Sequence, residues 1–253
     1  MALNPRLRDW SGRRVWLVGA SSGIGAALAH ALAGQGARLA LSARRADKLA
    51  GLGIADALCL PVDVTDAGAL QQARNHLMTA WGGIDVVIYL AGDYVPMRRE
   101  NFDPVVAARI LAVNYQGAVN LFAAVRDDLP PGGGIVFVAS VAGYRGLPQS
   151  LCYGPGKAAL IHFAECLHFD YAPRGIGVWV VNPGFVETPL TAQNRFAMPA
   201  LISAEAAAKA TVDGLASGDF DIHYPKRFTR LMKCLAHLPY RLYFPLIRRL
   251  TGG

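Results

Sequence analysis

The chain has 253 residues, of which 53% are hydrophobic and 17% charged, and its formal net charge is +7. These values exclude a disordered chain and predict a globular protein with a large core. The four cysteines show no CxxC or metal-ligand spacing, so we expect no disulfide framework and no metal site, but reduced, buried thiols in the cytoplasm. The N-terminal apolar run is too short for a signal peptide.

Short apolar runs alternate with helical stretches along the chain. Strands are predicted near residues 14–19, 37–43, 57–61, 84–90, 133–140, 175–182 and 219–224. This alternation predicts a doubly wound, mostly parallel α/β sheet of seven strands with helices between them. We expect one domain over residues 1–224, followed by a helical tail over residues 225–253.

A glycine-rich turn follows the first strand. Strand residues 14–18 lead into Gly19-Ala20-Ser21-Ser22-Gly23-Ile24-Gly25, and an Ala/Leu-rich helix follows at 26–34. Glycines let the backbone approach a pyrophosphate, which the free N–H groups of a helix N-terminus bind. The alternative is a tight turn that needs small residues. The order of strand, turn and helix favours a dinucleotide site of the Rossmann type.

The second strand predicts which dinucleotide binds. It ends at Ser42-Ala43-Arg44-Arg45, where an NAD site normally carries a carboxylate for the ribose 2′-hydroxyl. Arg44 and Arg45 are suited to a 2′-phosphate instead, through charge-assisted hydrogen bonds. The alternative is a pair of solvated arginines that begin a helix. We therefore predict NADP(H) in preference to NAD(H).

Tyr153 and Lys157 are spaced to share one side of a helix. A tyrosine has a pKa near ~10, and a cation one turn away favours the phenolate. Ser140 lies upstream at the end of an apolar run. An ordinary exposed Tyr–Lys pair is the alternative for this spacing alone. Pro155 is tolerated between them if it lies in the first helical turn.

The tail carries much of the net charge. It contains seven basic residues and no acid, while the remaining 18 basic and 18 acidic residues cancel. Its apolar residues recur at helical spacing, with Pro239 between two amphipathic helices. These residues are Phe228, Leu231, Met232 and Leu235, then Tyr243, Leu246, Ile247 and Leu250. Two hypotheses stay open: packing against the chain's own domain or a partner subunit, or contact of residues 226–251 with an anionic membrane. No motif indicates nucleic acid binding.

Together, these motifs resemble the short-chain dehydrogenase/reductase family over about residues 12–224. The resemblance implies that Tyr153 is the catalytic acid/base and that Ser140 orients a substrate carbonyl. It implies that Lys157 lowers the tyrosine pKa and holds the nicotinamide ribose. Asn114 matches the residue that supports a proton-relay water. Each has a plainer alternative: Ser140 ends a strand, and Asn114 is a buried polar residue satisfied by backbone.

The resemblance also implies the cofactor contacts, in a Rossmann-type NADP-binding catalytic domain. They are Gly19, Ser21, Ser22, Gly23, Ile24, Gly25, Arg44, Arg45, Asp63, Val64, Ala91, Gly92, Tyr153, Lys157, Pro183, Gly184, Val186 and Thr188. Asp63 and Val64 match the pair that places the adenine, although Asp63 is also suited to a turn. Leu90 departs from the family pattern, which has Asn there, so we expect altered packing or stability.

The function implied is an NADP(H)-dependent oxidoreductase that interconverts a carbonyl and a secondary alcohol. The alternative is a non-catalytic NADP-binding sensor or scaffold of the same fold. Predicted substrate segments are 93–97, 142–149 and 185–198, whose aromatic and aliphatic residues favour a lipophilic substrate. Arg145 and Arg195 leave an acidic group on it open. By resemblance, we expect a homodimer or homotetramer.

Overall fold

A computed structural model describes residues 2–194 and 196–251. The strands are β1 Arg14–Val18, β2 Arg38–Ala43, β3 Leu58–Pro61, β4 Val86–Tyr89, β5 Gly134–Val138, β6 Gly177–Pro183 and β7 Asp221–Tyr224. The α-helices are α1 Gly23–Ala33, α2 Ala46–Ala50, α3 Ala67–Trp81, α4 Pro104–Leu111, α5 Gly117–Val125, α6 Tyr153–Tyr171, α7 Ala204–Ser217, α8 Lys226–Ala236 and α9 Tyr240–Thr251. All predicted strands are confirmed.

The strands form a single seven-stranded sheet in the order β3-β2-β1-β4-β5-β6-β7. Every neighbouring pair is parallel, so the expected mostly parallel sheet is parallel throughout. Strands β1, β2 and β3 follow one another toward one edge of the sheet. The chain then returns, so that β4 pairs with β1 on its other side. The order therefore reverses between β1 and β4, and the carboxyl ends of these strands form a crevice suited to ligands.

Helices cover both faces of the sheet, which is why its strands are almost continuously apolar. Alternate residues along each strand face opposite sides: Trp16 belongs to one core cluster, and Val15 and Leu17 belong to the other. Helices α3, α5 and α6 pack on the first face. Helices α1 and α7 pack on the second. The two cores fix the sheet as the rigid support of the loops at its carboxyl edge.

Local capping explains where two functional helices begin. Asp66 is the N-cap of α3 and accepts a hydrogen bond from the Ala69 N–H at 2.9 Å. Pro155 lies in the first turn of α6, where the missing N–H would have no helical partner. The predicted tolerance of Pro155 between Tyr153 and Lys157 is confirmed.

The continuous helical stretch Pro104–Val125 is long and apolar enough to cross a membrane by length and composition alone. It comprises α4, a π-helical turn at Ala112–Gln116 and α5. Within the fold, Ala118 and Leu121 of this stretch are buried in the first core. The stretch therefore packs as a core helix.

The prediction of buried thiols is wrong for three of the four cysteines. All four are free, but Cys59, Cys166 and Cys234 are exposed and only Cys152 is buried. Cys59 lies on β3, an edge strand of the sheet. Half-buried and exposed residues alternate along this strand, and Cys59 takes an exposed position. Cys166 and Cys234 occupy the outer sides of α6 and α8. Helical surface positions, rather than composition, decide their exposure.

The tail folds as two helices that pack on the domain, with Pro239 between them. Leu235, Tyr243 and Ile247 are buried, with Leu147, Met232 and Leu238 around them. The predicted apolar stripes therefore contain both residues that are buried against the domain and residues that are exposed. Leu231, Leu246 and Leu250 stay exposed, although they were predicted on the same stripes as the buried residues.

Leu90 tests how the departure from the family pattern affects stability. Its side chain packs against the second core, while its N–H donates to the Val18 carbonyl at 2.7 Å. We expect Leu90→Asn to lower the free energy of unfolding by about 1–3 kcal/mol, because it places an amide among apolar neighbours. Urea denaturation measures the change. Leu90→Met is the control and should cost less than about 1.5 kcal/mol; equal stability of all three proteins would contradict the expectation.

Candidate active site

The carboxyl ends of the strands open into a cleft beside the β1–β4 reversal. Its volume is about 490 Å³, within the range of small-molecule and cofactor sites. The whole predicted set of cofactor contacts lines it. These are Gly19, Ser21, Ser22, Gly23, Ile24, Gly25, Arg44, Arg45, Asp63, Val64, Ala91, Gly92, Tyr153, Lys157, Pro183, Gly184, Val186 and Thr188. Sequence reasoning thus selected residues that the fold does bring together.

The glycine-rich turn has the geometry that a pyrophosphate requires. Gly19 has φ +104°, and a Cβ there would lie 2.4 Å from the Ala91 nitrogen. A Cβ at Gly25 would lie 2.2 Å from the Gly19 oxygen, and one at Gly23 would lie 2.8 Å from Thr188 Cγ2. Larger residues would therefore fill the cradle or break the turn. The loop leaves its backbone open to the cleft.

The N-terminus of α1 is also suited to an anion. Ser22 is its N-cap in an extended conformation, but its side chain makes no capping hydrogen bond, and the first turn contains no acid. The Ser22 side chain therefore leaves the first-turn N–H groups without a capping partner, and no acid in the first turn compensates the positive end of the helix dipole. A dinucleotide phosphate group fits this donor set.

The far end of the cleft is basic. Arg44 follows β2 directly, and Arg45 is the N-cap of α2. Asp63 turns toward its own loop and accepts from the Thr65 N–H at 2.9 Å and the Thr65 hydroxyl at 2.7 Å. These hydrogen bonds, with a further contribution from the Arg44 charge, hold the pKa of Asp63 below its usual value. Asp63 therefore has the turn-forming role, and it also lines the cleft.

Helix α6 brings two of the predicted catalytic side chains into the cleft. Tyr153 is its first residue and Lys157 follows one turn later on the same side. Ser140 lies just beyond β5, and its Oγ accepts a hydrogen bond from the Ala142 N–H at 3.1 Å. All three residues line the cleft. The Ser140 hydroxyl also acts on the Tyr153 phenol, since it favours the phenolate.

Burial governs the ionisation of the Tyr153–Lys157 pair. Burial raises the pKa of Tyr153 to about 12, against the opposing effect of Ser140. Burial also lowers the pKa of Lys157 to about 7. Burial is thus the largest influence on the tyrosine pKa, and the lowering of that pKa by Lys157 stays a prediction. The Lys157 Nζ lies 5.7 Å from the Tyr153 ring centroid and donates instead to the Val138 carbonyl at 2.9 Å.

Asn114 lies beneath the cleft and does not line it. It is fully buried in the π-helical turn, where its Nδ2 donates to the carbonyls of Asp93 at 2.6 Å and Ile110 at 2.9 Å. The plainer alternative, a buried amide satisfied by backbone, therefore holds for its nitrogen. Its Oδ1 accepts a long hydrogen bond from the Asp93 N–H at 3.4 Å. A Cβ at Gly92 would lie 3.3 Å from that oxygen and 3.7 Å from the Lys157 Nζ. Gly92 thus keeps space between the two.

The predicted substrate segments contribute an apolar side to the site. Tyr94 packs edge-on against Tyr153 with ring centroids 5.0 Å apart. Met97 is buried in a small cluster with Cys152. Phe185 contacts Phe196 with ring centroids 5.8 Å apart. Tyr94 and the Met97–Cys152 cluster therefore give Tyr153 apolar neighbours, while Phe185 and Phe196 form a separate aromatic pair.

Arg145, which left an acidic group on the substrate open, is engaged by the tail. Its guanidinium donates to the carbonyls of Leu235, Ala236 and Leu238 at the end of α8. It also lies 4.4 Å from the Tyr240 ring centroid and 4.2 Å from that of Tyr243. Its charge is used to hold the tail. Arg195, the other predicted arginine, is outside the described residues.

Sequence reasoning missed two contributors to the site. The Val138 carbonyl holds Lys157, but a main-chain acceptor has no side-chain signature in a sequence. Phe228 of α8 packs against Phe185 at 5.6 Å and thus supports the wall beside Gly184. The apolar periodicity of the tail was visible, but its partner depends on where α8 folds back.

Comparison with known proteins agrees with this geometry. The family model described as short chain dehydrogenase matches residues 13–198. An uncharacterized oxidoreductase of Myxococcus xanthus is 32% identical over 96% of this chain and 100% of that protein. A protein of Sesamum indicum named 11-beta-hydroxysteroid dehydrogenase A is 32% identical over 74% of this chain and 56% of its own length.

Solved structures show the same fold. A short chain dehydrogenase from Burkholderia cenocepacia, described in complex with NADP, has a TM-score of 0.75 and 26% identity, covering 85% of this chain and 96% of that one. A dehydrogenase/reductase from Sinorhizobium meliloti has a TM-score of 0.75 and 27% identity, covering 84% of this chain and 93% of that one. The seven-stranded, Rossmann-like fold is therefore shared with these proteins.

Lys157 should leave a pH signature on stability. The folded protein releases the lysine proton near pH 7, whereas the unfolded chain keeps it up to the ordinary value of 10.5. The unfolded state binds more protons between these values, so the free energy of unfolding should rise as the pH increases above about 7. Lys157→Met should flatten this rise, measured by urea unfolding at several pH values. The exposed Lys48→Met is the control and should keep the rise; an unchanged profile in Lys157→Met would contradict the assignment.

Proposed function

The chain belongs to the short-chain dehydrogenase family, and from that premise we propose that it is an NADPH-dependent oxidoreductase that reduces a lipophilic carbonyl compound to a secondary alcohol. The observation that carries the proposal is the joint placement of Ser140, Tyr153 and Lys157 in the cleft that the Gly19–Gly25 turn also lines. One end of the cleft is suited to a dinucleotide phosphate, and the other presents a proton donor.

The residues that would hold NADPH divide along the cleft. The Gly19–Gly25 turn and the start of α1 would bind the pyrophosphate. Arg44 and Arg45 would bind the 2′-phosphate, with Asp63 and Val64 beside the adenine. Ala91, Gly92 and residues 183–188 would flank the nicotinamide end. When bound there, NADPH supplies the hydride for the carbonyl carbon.

Tyr153 is the proposed proton donor. Its pKa of about 12 keeps the phenol protonated at neutral pH, which is the form that carbonyl reduction needs. Ser140 would hydrogen-bond the same carbonyl oxygen and hold it next to the phenol. The proton moves from the Tyr153 hydroxyl to the substrate oxygen, which becomes the alcohol.

Lys157 and Asn114 would return a proton to Tyr153. The Lys157 ammonium, with a pKa of about 7, exchanges its proton readily at neutral pH. The Asn114 Oδ1 near Gly92 is an acceptor suited to a water molecule between the lysine and solvent. The same burial that raises the tyrosine pKa disfavours the phenolate needed for alcohol oxidation.

The lipophilic substrate class is supported by the surroundings of Tyr153. Tyr94 packs against Tyr153, Phe185 and Phe196 form an aromatic pair within the predicted substrate segment 185–198, and Arg145 is held by the tail. The relative from Sesamum indicum carries the name of a hydroxysteroid dehydrogenase, which is an oxidoreductase of an apolar alcohol. A ketone with a bulky apolar body fits these walls.

The proposal also covers the cellular compartment and the oligomeric state of the protein. Three exposed free thiols support a reducing compartment, the cytoplasm. Phe169, on the outer side of α6, is 79% exposed and supports a homodimer or homotetramer through this helix.

Removing the Tyr153 hydroxyl tests the catalytic proposal. Tyr153→Phe should lower kcat roughly 100- to 10,000-fold on a panel of apolar ketones, because the proton donor is lost. NADPH binding, followed by fluorescence titration, should change little. Tyr94→Phe is the matched control and should retain turnover. Full activity of Tyr153→Phe would overturn the assignment, and a wild type that binds NADPH but reduces none of the panel would favour a sensor or scaffold.

Arg44 tests the cofactor preference. Arg44→Ala should weaken NADPH binding roughly 10- to 100-fold, because one charge-assisted hydrogen bond to the 2′-phosphate is lost. NADH binding should stay the same, since that cofactor lacks the phosphate. Lys48→Ala, which removes an exposed cation of α2 outside the cleft, should bind both cofactors as the wild type does. Equal losses for NADPH and NADH would contradict the role of Arg44.

A further inference from the structure

Helix α9 leaves an uncovered apolar surface, here called the α9 face. It consists of Tyr240, Leu242, Phe244, Leu246 and Leu250, which are between 36% and 67% exposed. Five large apolar side chains within one helix exceed the scattered single residues of an ordinary surface.

The domain fixes which side of α9 stays outside. Tyr243 and Ile247 are buried, and the Tyr243 hydroxyl donates to the Gly146 carbonyl at 2.8 Å. Leu242, Leu246 and Leu250 follow one another at four-residue steps, so they form a line beside the buried pair. Tyr240 and Phe244 flank the pair on the other side, where their rings stack at 5.5 Å. The α9 face therefore borders the contact with the domain on both sides.

The charges around the α9 face are all positive. The basic residues of α8 and α9 are Lys226, Arg227, Arg230, Lys233, Arg241, Arg248 and Arg249, and neither helix contains an acid. Among residues 2–194 and 196–251, Lys233 is the one member of this set in an ion pair, with Asp221. Arg241, Arg248 and Arg249 lie on α9 itself and are exposed. An apolar surface bordered by unpaired cations remains.

We propose that the α9 face docks on an anionic lipid bilayer. A helix with apolar side chains and arginines lies well in the boundary between headgroups and acyl chains, and nearby cations add attraction to anionic lipid. A second copy of the chain is a poorer occupant. A two-fold contact through the same face would place arginines against arginines, which repel each other.

Docking would act on a helix that is tied to the catalytic domain. Arg145 and Gly146 contact the tail directly, and they follow Ser140 in the chain by only a few residues. Phe228 of α8 supports Phe185 on the other side of the cleft. The bilayer contact and the substrate side are therefore joined through packed side chains. Binding to lipid needs no turnover, so this inference can fail or stand separately from the proposed reaction.

Co-sedimentation of the full-length protein with vesicles tests the proposal. We expect binding to phosphatidylcholine vesicles that contain phosphatidylserine, weak binding to phosphatidylcholine alone, and release by added salt. Arg241→Gln/Arg248→Gln/Arg249→Gln should weaken binding on the order of 100-fold, at the usual contribution of each cation near the surface. Leu242→Gln/Leu250→Gln should weaken it roughly 30-fold.

Two control variants separate the α9 face from net charge and general hydrophobicity. Arg6→Gln/Arg8→Gln/Lys48→Gln removes equal charge at exposed positions elsewhere, and it should bind vesicles as the wild type does. Leu3→Gln/Val105→Gln removes exposed apolar side chains outside the tail, with the same expectation. Circular dichroism spectra and thermal unfolding midpoints should be equal in all variants, which shows that each has folded.

Three results would overturn the proposal. The wild type could fail to bind phosphatidylserine vesicles, or the control variants could lose as much binding as the α9 variants. The third result is a change of oligomeric mass in Leu242→Gln/Leu250→Gln, seen by sedimentation velocity, with vesicle binding unchanged. That result would assign the face to a second copy of the chain.

Discussion

The close approach of the first glycine of the turn to the end of β4 is the constraint on which the site depends. Gly19 has φ +104°, and a Cβ there would lie 2.4 Å from the Ala91 nitrogen, so only glycine lets the two strand ends meet. This approach is possible because β1 and β4 are neighbours in the sheet. It puts the phosphate-binding turn beside Gly92, and Gly92 in turn lies beside Lys157 and Asn114.

One physical cause, burial, shapes both members of the Tyr153–Lys157 pair. It disfavours the phenolate of Tyr153 and the ammonium of Lys157 alike, so the tyrosine becomes a weaker acid and the lysine a weaker base. The Val138 carbonyl compensates the lysine for part of its lost hydration. In a site of this kind, the Tyr153 hydroxyl stays protonated at neutral pH.

The sequence predicted the sheet and the lining of the cleft because these depend on local patterns. Apolar runs located every strand, and glycines located the turn. The surroundings of Asn114, Arg145 and the cysteines were harder to predict from the sequence, because distant segments of the chain form them. Asn114 bonds to the Asp93 carbonyl, Arg145 to carbonyls of α8, and Cys59 lies on an edge strand that only the strand order reveals. Periodicity also could not show which half of each tail stripe faces the domain.

The position of Arg145 has a consequence for protein engineering. Its guanidinium binds the last carbonyls of α8, where the helix dipole is negative, and lies between two tyrosine rings of α9. The loop after Ser140 and the tail therefore pack as one unit, although nearly a hundred residues separate them. A chimera that exchanges the tail with that of a relative would have to exchange this loop as well, or leave a half-buried cation facing the wrong partners.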